Sequence, residues 1–354
     1  MSDYRIALLP GDGIGPEVMH EARATLDAVT ESDDRFSVTV ESFEAGAGLH
    51  LRTGAPIEPG TFERLAEFDA ILAGPFGDPR VPDVPVLWGT ILAMRQRFGQ
   101  YVNLRPARLL PGVQSPLRAA EASGLDIVVV RENTEGEYSG VGGRVHRGRD
   151  IEVAAETSLF TRAGVERIIR YAFEYARERG RRRVTSATKS NALRHAMPFW
   201  DEVFESVAAE FPELEHESAL IDALVARVVT HPASLDVVVA SNLFGDILSD
   251  LTAAAAGSLG VGASANLDPT GTSPSLFQAI HGSAPDIAGR EVANPIGEIM
   301  SVALMLESLG EAEAAAAIEA AVEKSTADPA TRTRDLGGSA STREAGEAVR
   351  SAFA

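Results

Sequence analysis

The chain has 354 residues, 45% of them apolar, no cysteine and a formal net charge of −19. That length suits two domains sharing a core. The missing cysteine excludes disulfides, thiolate catalysis and Cys-ligated zinc, and the acidity argues against nucleic acid as the main partner.

No apolar run reaches the ~18 residues of a membrane span, and the N-terminus lacks a signal pattern. A cytoplasmic protein with no membrane partner is expected. Of the 32 basic residues only Lys189 and Lys324 are lysines. A salt-adapted acidic surface and a codon bias toward arginine both account for this.

Taken in order, the elements alternate strand and helix, the pattern of an α/β fold. Residues 5–10 read as a strand, and 15–29 as a helix with Val18, Ala22, Leu26 and Val29 on one face. Strands follow at 36–43, 70–75, 101–110 and 125–132, with helices at 61–68 and 90–98. The stretch 136–152 is rich in glycine and charge and reads as a loop, either an active-site rim or an arm reaching another subunit. A long helix covers 161–180 and is closed by Gly180. Strand 181–189, helices 199–211 and 220–229, and a strand–turn–helix over 235–251 come next. Helices at 297–310, 311–324 and near 341–353 complete the chain.

The glycines of "LLPGDGIGPEV" sit at 11, 13 and 15. A Rossmann loop needs G-x-G-x-x-G, with an acidic residue about 20 positions on. Here the third glycine comes one position early, and the second strand ends near Glu41–Glu44, too late. The match is poor.

Four other stretches carry more chemistry. Arg95, Arg105 and Arg131 flank or end buried elements and can form a cluster for an anionic substrate. Asp246 and Asp250 lie four apart after a strand, on one helical face, where a hard divalent cation such as Mg2+ or Mn2+ relieves their repulsion. Asp222 lies off the apolar face of its helix and reads as a third ligand or a surface acid. Lys189 ends a strand beside Ser186, Thr188 and Asn191, where a lysine can act as a base. Tyr138 is a candidate proton donor. The loop "HGSAPDIAG" with Asn294 offers backbone donors, a hydroxyl and a carboxylate for a ribose.

Together "LPGDGIGPEV", "YVNLRP", "VVVRENTEGEYSG", "TSATKSN", "LDVVVASNLFGDILSDL" and "HGSAPDIAG…ANP" resemble the β-decarboxylating dehydrogenases, the isocitrate/isopropylmalate dehydrogenase-like family. They run in the family's order over essentially the whole chain. The resemblance implies a two-domain fold that is not a Rossmann fold, with the active site in the interdomain cleft. Residues 1–99 and 257–354 would form a large nucleotide-binding domain, and 100–256 a small substrate and dimerisation domain.

The resemblance also assigns roles. Arg95, Arg105 and Arg131 would hold substrate carboxylates. Asp246 and Asp250 would ligate the metal, with Asp222 as third ligand. Lys189 and Asp222 would come from the neighbouring subunit of a homodimer or dimer of dimers, with Lys189 as base and Tyr138 as proton donor. Ile14, His281, Gly282, Ser283, Ala284, Asp286 and Asn294 would bind the cofactor. Asp286 would accept from a ribose 2′-hydroxyl and repel a 2′-phosphate, which favours NAD. A monovalent cation activator is also allowed.

Within the family the chain is most similar to the tartrate/D-malate branch. Trp88 and Ile91, before Arg95, offer nothing to a third carboxylate and would shrink the pocket toward a small hydroxy-diacid. The same-class alternative is 3-isopropylmalate dehydrogenase, with isocitrate dehydrogenase behind it. A non-catalytic regulatory subunit should have lost Lys189, Tyr138 or the aspartates, and all are present. Gln278 stands where the family has glutamate, and Pro75 and Asp78 also depart from it.

Overall fold

The computed structural model describes residues 2–353. Its strands are β1 (Ser2–Leu9), β2 (Phe36–Ser42), β3 (Ala70–Ala73), β4 (Val102–Arg108), β5 (Asp126–Glu132), β6 (Gly136–Val145), β7 (Val153–Leu159), β8 (Arg183–Thr188), β9 (Glu215–Leu220), β10 (Val237–Ala240), β11 (Ala263–Leu267) and β12 (Ser275–Ala279). Ten form one sheet in the order β2-β1-β3-β12-β11-β4-β5-β10-β8-β9, while β6 and β7 form a separate ribbon. Residues 2–73 and 263–279 supply one half of the sheet, and residues 102–240 the other. Both outer parts are parallel, but β12–β11, β11–β4 and β4–β5 are antiparallel. This mixed order is not a Rossmann sheet, as expected.

Local sequence explains the elements. β10 is an unbroken apolar run, and β5 is apolar from Ile127 to Val130; neither shows alternation because helices cover both faces. The first helix spans Gly15–Glu31, with Pro16 in its first turn, and buries Val18, Ala22, Leu26 and Val29. The helix Arg162–Glu178 starts at Thr161, whose hydroxyl accepts from the Gly164 amide at 3.0 Å. No helix among the described residues is long and apolar enough to cross a membrane.

The structure corrects the reading of 136–152. Most of it is not a loop but β6 of an antiparallel ribbon that extends to Leu159. β7 is exposed throughout, and β6 from Gly140 onward. β9, β11 and β12 were also not anticipated. β11 and β12 turn Ser264, Asn266 and Gln278 inward or partly so, which erases the alternation that marks a strand. β9 is a polar edge strand.

One core group is unusual. Glu298, in the helix Ile296–Ser308, is fully buried. Its Oε2 accepts the Ala279 amide at 2.9 Å, and its Oε1 has no partner. Burial pushes this carboxyl up to about 8, against the opposing pull of the Ala279 hydrogen bond. The folded chain therefore holds a proton that the unfolded chain loses near 4.5. Stability from this group falls as pH rises from there to about 8. Glu298→Gln is expected to raise the melting temperature at pH ~9 by several degrees and to leave it nearly unchanged at pH ~5. Thermal unfolding followed by circular dichroism across that range checks it.

Candidate active site

Three arginines converge where the two halves of the sheet meet. Arg95 is on the helix Ile91–Arg97, Arg105 on β4 and Arg131 near the end of β5. They are 5%, 6% and 1% exposed, and burying three cations so close makes sense only if anions join them. Strand register builds the floor: Asn266 pairs with Asn103, and Asn103 with Arg131. Asn266 Oδ1 accepts from Arg95 Nε at 3.0 Å and from the side-chain amides of Asn103 and Asn133. The terminal nitrogens of Arg95 donate to no protein atom among the described residues, and Arg105 Nε has no partner. These are free N–H donors for a ligand.

The helix Asn242–Ala255 carries Asp246 and Asp250 to the same place. Arg131 Nη1 donates to Asp246 Oδ1, and Arg105 Nη1 lies 3.4 Å from that oxygen and 3.3 Å from Asp250 Oδ1. Arg131 Nε and Nη2 donate to Asn242 Oδ1 at 3.0 and 2.7 Å. Each nitrogen of Arg131 thus has a protein partner, so its first task is to hold this helix. Gly245 makes that possible, since a Cβ there would lie 2.6 Å from Arg131 Cβ.

The charges shape one another. Burial and repulsion from Arg131 pull Arg105 down to about 10, still a cation at neutral pH. Burial pushes the Asp246 carboxyl up, but the three arginines outweigh it and hold it below its ordinary value. Asp250 is raised, first by burial and then by Asp246. The Tyr138 hydroxyl donates to Asp246 Oδ2 at 3.2 Å. Burial first, then Asp246, pushes its phenol up, so it keeps its proton at neutral pH.

Lys189 and Asp222 stand apart. Lys189 follows β8 directly, and its Nζ lies 2.5 Å from Asp222 Oδ1. The Lys189 ammonium holds the Asp222 carboxyl below its usual range. Among the described residues, no hydrogen bond or ion pair joins this couple to the arginines, Tyr138, Asp246 or Asp250, and no group of three acids or histidines is arranged to hold a metal. The expected trio of metal ligands is therefore not assembled within one chain. Asp246 and Asp250 fit a hard cation as a pair of oxygen donors, while Asp222 of the same chain pairs with Lys189.

Two distant loops do meet. The amide of Ile14 donates to Ser283 O at 2.9 Å, and a Cβ on Gly13 would lie 1.9 Å from that oxygen. Gly11 and Gly13 have φ of +73° and +60°, which glycine alone adopts without strain. Asp12 locks the turn by accepting three backbone amides, of Ala47, Gly48 and Gly77, at 2.7–2.9 Å. Ile14 packs against Ala284, Ile287 and Ala293. Ala284 has φ of +38°. Burial keeps the His281 imidazole below its ordinary value, and its buried Nε2 has no partner. Gly282 and Asp286 are exposed. A neutral imidazole with an orphaned nitrogen, beside exposed backbone and a carboxylate, fits the ribose and base of a nucleotide.

The Asn294 side chain donates to Asp335 Oδ2 at 2.9 Å and accepts the Ile296 amide at 3.0 Å. Ile91 is 6% exposed and packs in the core cluster with Met94, Phe98 and Leu276. Trp88 is 38% exposed and lies against the ribbon; a Cβ on Gly140 would sit 2.8 Å from its ring. Asp12, Asn103, Asn133, Asn242 and Asn266 were missed. Asn103 and Asn266 could have been signalled by their polarity between apolar strand neighbours, whereas nothing local marks Asp12, Asn133 or Asn242.

The isocitrate/isopropylmalate dehydrogenase family model matches residues 5–349. A probable tartrate dehydrogenase/decarboxylase of Agrobacterium vitis is 48% identical over the whole chain and 97% of its own length. The D-malate dehydrogenase (decarboxylating) of Escherichia coli is 48% identical, covering 99% of this chain and 98% of the relative. The crystal structure of isocitrate dehydrogenase from Methylococcus capsulatus superposes with a TM-score of 0.90 at 35% identity, covering 99% of both chains.

Proposed function

Since the chain belongs to the isocitrate/isopropylmalate dehydrogenase family, we propose that it oxidatively decarboxylates a small (R)-2-hydroxy diacid, D-malate or tartrate, to a 2-keto acid and CO2. The observation that carries this reading is the buried arginine cluster with unpaired N–H donors, set against Asp246, Asp250 and a protonated Tyr138. The two relatives named for tartrate and D-malate support the substrate class.

Arg95 and Arg105 bind the two carboxylates, each charge-assisted bond contributing roughly 1.5–3 kcal/mol. Arg131 holds Asp246 in place. Lys189, as the free amine once its ammonium proton has passed to Asp222, takes the hydroxyl proton as C2 is oxidised, and Asp222 keeps Lys189 oriented. The bond between C3 and its carboxylate then breaks, and Tyr138 returns a proton to C3. NAD would supply the hydride acceptor, and Mg2+ or Mn2+, held by Asp246 and Asp250 with Asp222 of the neighbouring copy, would supply Lewis-acid polarisation of the substrate oxygen.

The site is shared between two copies, with Lys189 and Asp222 coming from the partner. Two observations support this. The Lys189–Asp222 couple makes no bond to the arginine and aspartate group of its own chain. The β6–β7 ribbon exposes Val141, Val145, Ile151, Val153 and Leu159, and a lone two-stranded ribbon is marginal in water without a partner surface.

Turnover of D-malate, L-tartrate, isopropylmalate and isocitrate with NAD and Mn2+ tests the substrate. D-malate or tartrate should exceed the others by about tenfold or more in kcat/KM. Isopropylmalate far above D-malate would overturn the reading. Asp286→Ala is expected to lower the preference for NAD over NADP by about tenfold, because it removes both an acceptor for the ribose and a charge that repels phosphate. The ratio of kcat/KM values for the two cofactors checks it.

A further inference from the structure

The helix bearing Asp246 and Asp250 is not capped by its own sequence. Ser241 occupies the N-cap position but makes no side-chain bond to the helix. Its Oγ instead donates to Glu137 Oε1 at 2.9 Å, and Glu137 Oε2 accepts the Leu243 amide at 3.0 Å. The cap therefore comes from β6, where a carboxylate is also favoured by the helix dipole.

A second fastening lies beside it. Asn242 Nδ2 donates to the Glu135 carbonyl at 3.0 Å, and a Cβ on Gly136 would lie 3.4 Å from Asn242 Cβ. Tyr138 comes next in β6 and reaches Asp246, one turn along the helix from Leu243. The rest of the ribbon, from Gly140, is exposed.

We propose that Glu137 is a positioning residue that locks the root of the ribbon onto the first turn of this helix, so that the seating of the ribbon sets the register of Tyr138 against Asp246 and Asp250. The inference rests on the decarboxylating reading for its kinetic consequence, but its structural part stands without it.

Glu137→Ala, Glu137→Gln and Ser241→Ala in the full chain test the proposal by hydrogen–deuterium exchange and steady-state kinetics. In Glu137→Ala, amides 243–246 should exchange about tenfold faster. Its kcat should fall about tenfold or more, with KM for NAD within about twofold. Glu137→Gln should recover both to within about threefold, since its amide oxygen still accepts the Leu243 amide and its NH2 can donate to Ser241. Ser241→Ala should fall between. Wild-type exchange and wild-type kcat in Glu137→Ala would overturn the proposal, as would a Glu137→Gln variant as impaired as the alanine. If Glu137→Ala does not fold, Ser241→Ala decides: wild-type values in both measurements overturn the proposal, and changes in both sustain it. Should the wild type turn over no hydroxy-diacid, the functional reading fails while exchange at 243–246 still judges the cap.

Discussion

Lys189→Met is expected to lower turnover of D-malate by two to four orders of magnitude, the usual range for a lost general base, ~100- to 10,000-fold. Stability should change little. The Lys189–Asp222 pair is 27% and 66% exposed by side chain, and solvent screens so exposed a pair heavily. Asp222→Asn should cost less activity than Lys189→Met, because it leaves the amine in place. Tyr138→Phe should also be severely impaired, through the opposite proton transfer. The pair of variants tests the shared site as well. Mixed and reassembled, Lys189→Met and Tyr138→Phe chains form hybrids in which one of two sites receives both wild-type groups. Roughly a quarter of the wild-type activity should return if each site draws on two copies. No recovery on mixing would place both residues in one chain's site.

Arg131→Met is expected to damage both activity and stability. The side chain is 2% exposed and serves Asn242 and Asp246 together. Removing it leaves the Asp246 carboxylate with Arg105 as its nearest cation, at 3.4 Å. Breaking a buried pair this way costs on the order of 3–5 kcal/mol, and the lower end applies because Asp246 is about a third exposed. Urea unfolding measures that loss. The acid limb of stability should move too. In the wild type the arginines outweigh burial and keep Asp246 below its ordinary 3.8, so its contribution is full above that value and is lost as pH falls through the lowered one. Without Arg131, the largest lowering influence, that loss begins at higher pH. An unchanged acid midpoint would mean that Arg131 does not stabilise the carboxylate. Arg131→Lys should not rescue activity, since an ammonium cannot engage Asn242 and Asp246 as a planar fork does.

The candidate site residues sit at strand ends and on one helix face, which periodicity locates, while their roles were assigned only by the family resemblance. Arg131 closes an apolar strand, Lys189 follows another, and Asp246 and Asp250 share a helix face with the spacing that α-helical geometry dictates. The short glycine spacing at 11–15 correctly excluded a Rossmann loop; in the fold that turn packs on Ser283, from a segment 270 residues away. What stayed hidden depends on such distant pairings. Asn103 and Asn266 read as odd polar residues in strands until the register joins them beneath Arg95. The ribbon was hidden because glycine and charge dilute its alternation and no core of its own chain covers it. The bond from Asn294 to Asp335 and the packing of Ile91 in the core were hidden in the same way. Glu137 looked like one more acid in a charged loop.

The proposed reaction couples oxidation to loss of carbon dioxide at one site. Its most direct test is the stoichiometry of D-malate turnover with NAD and Mn2+, following NADH, pyruvate and CO2 in the same sample. The three should appear in equal amounts throughout the reaction. NADH accompanied by oxaloacetate without CO2 would contradict it, because the site would then oxidise its substrate and leave the carboxylate in place.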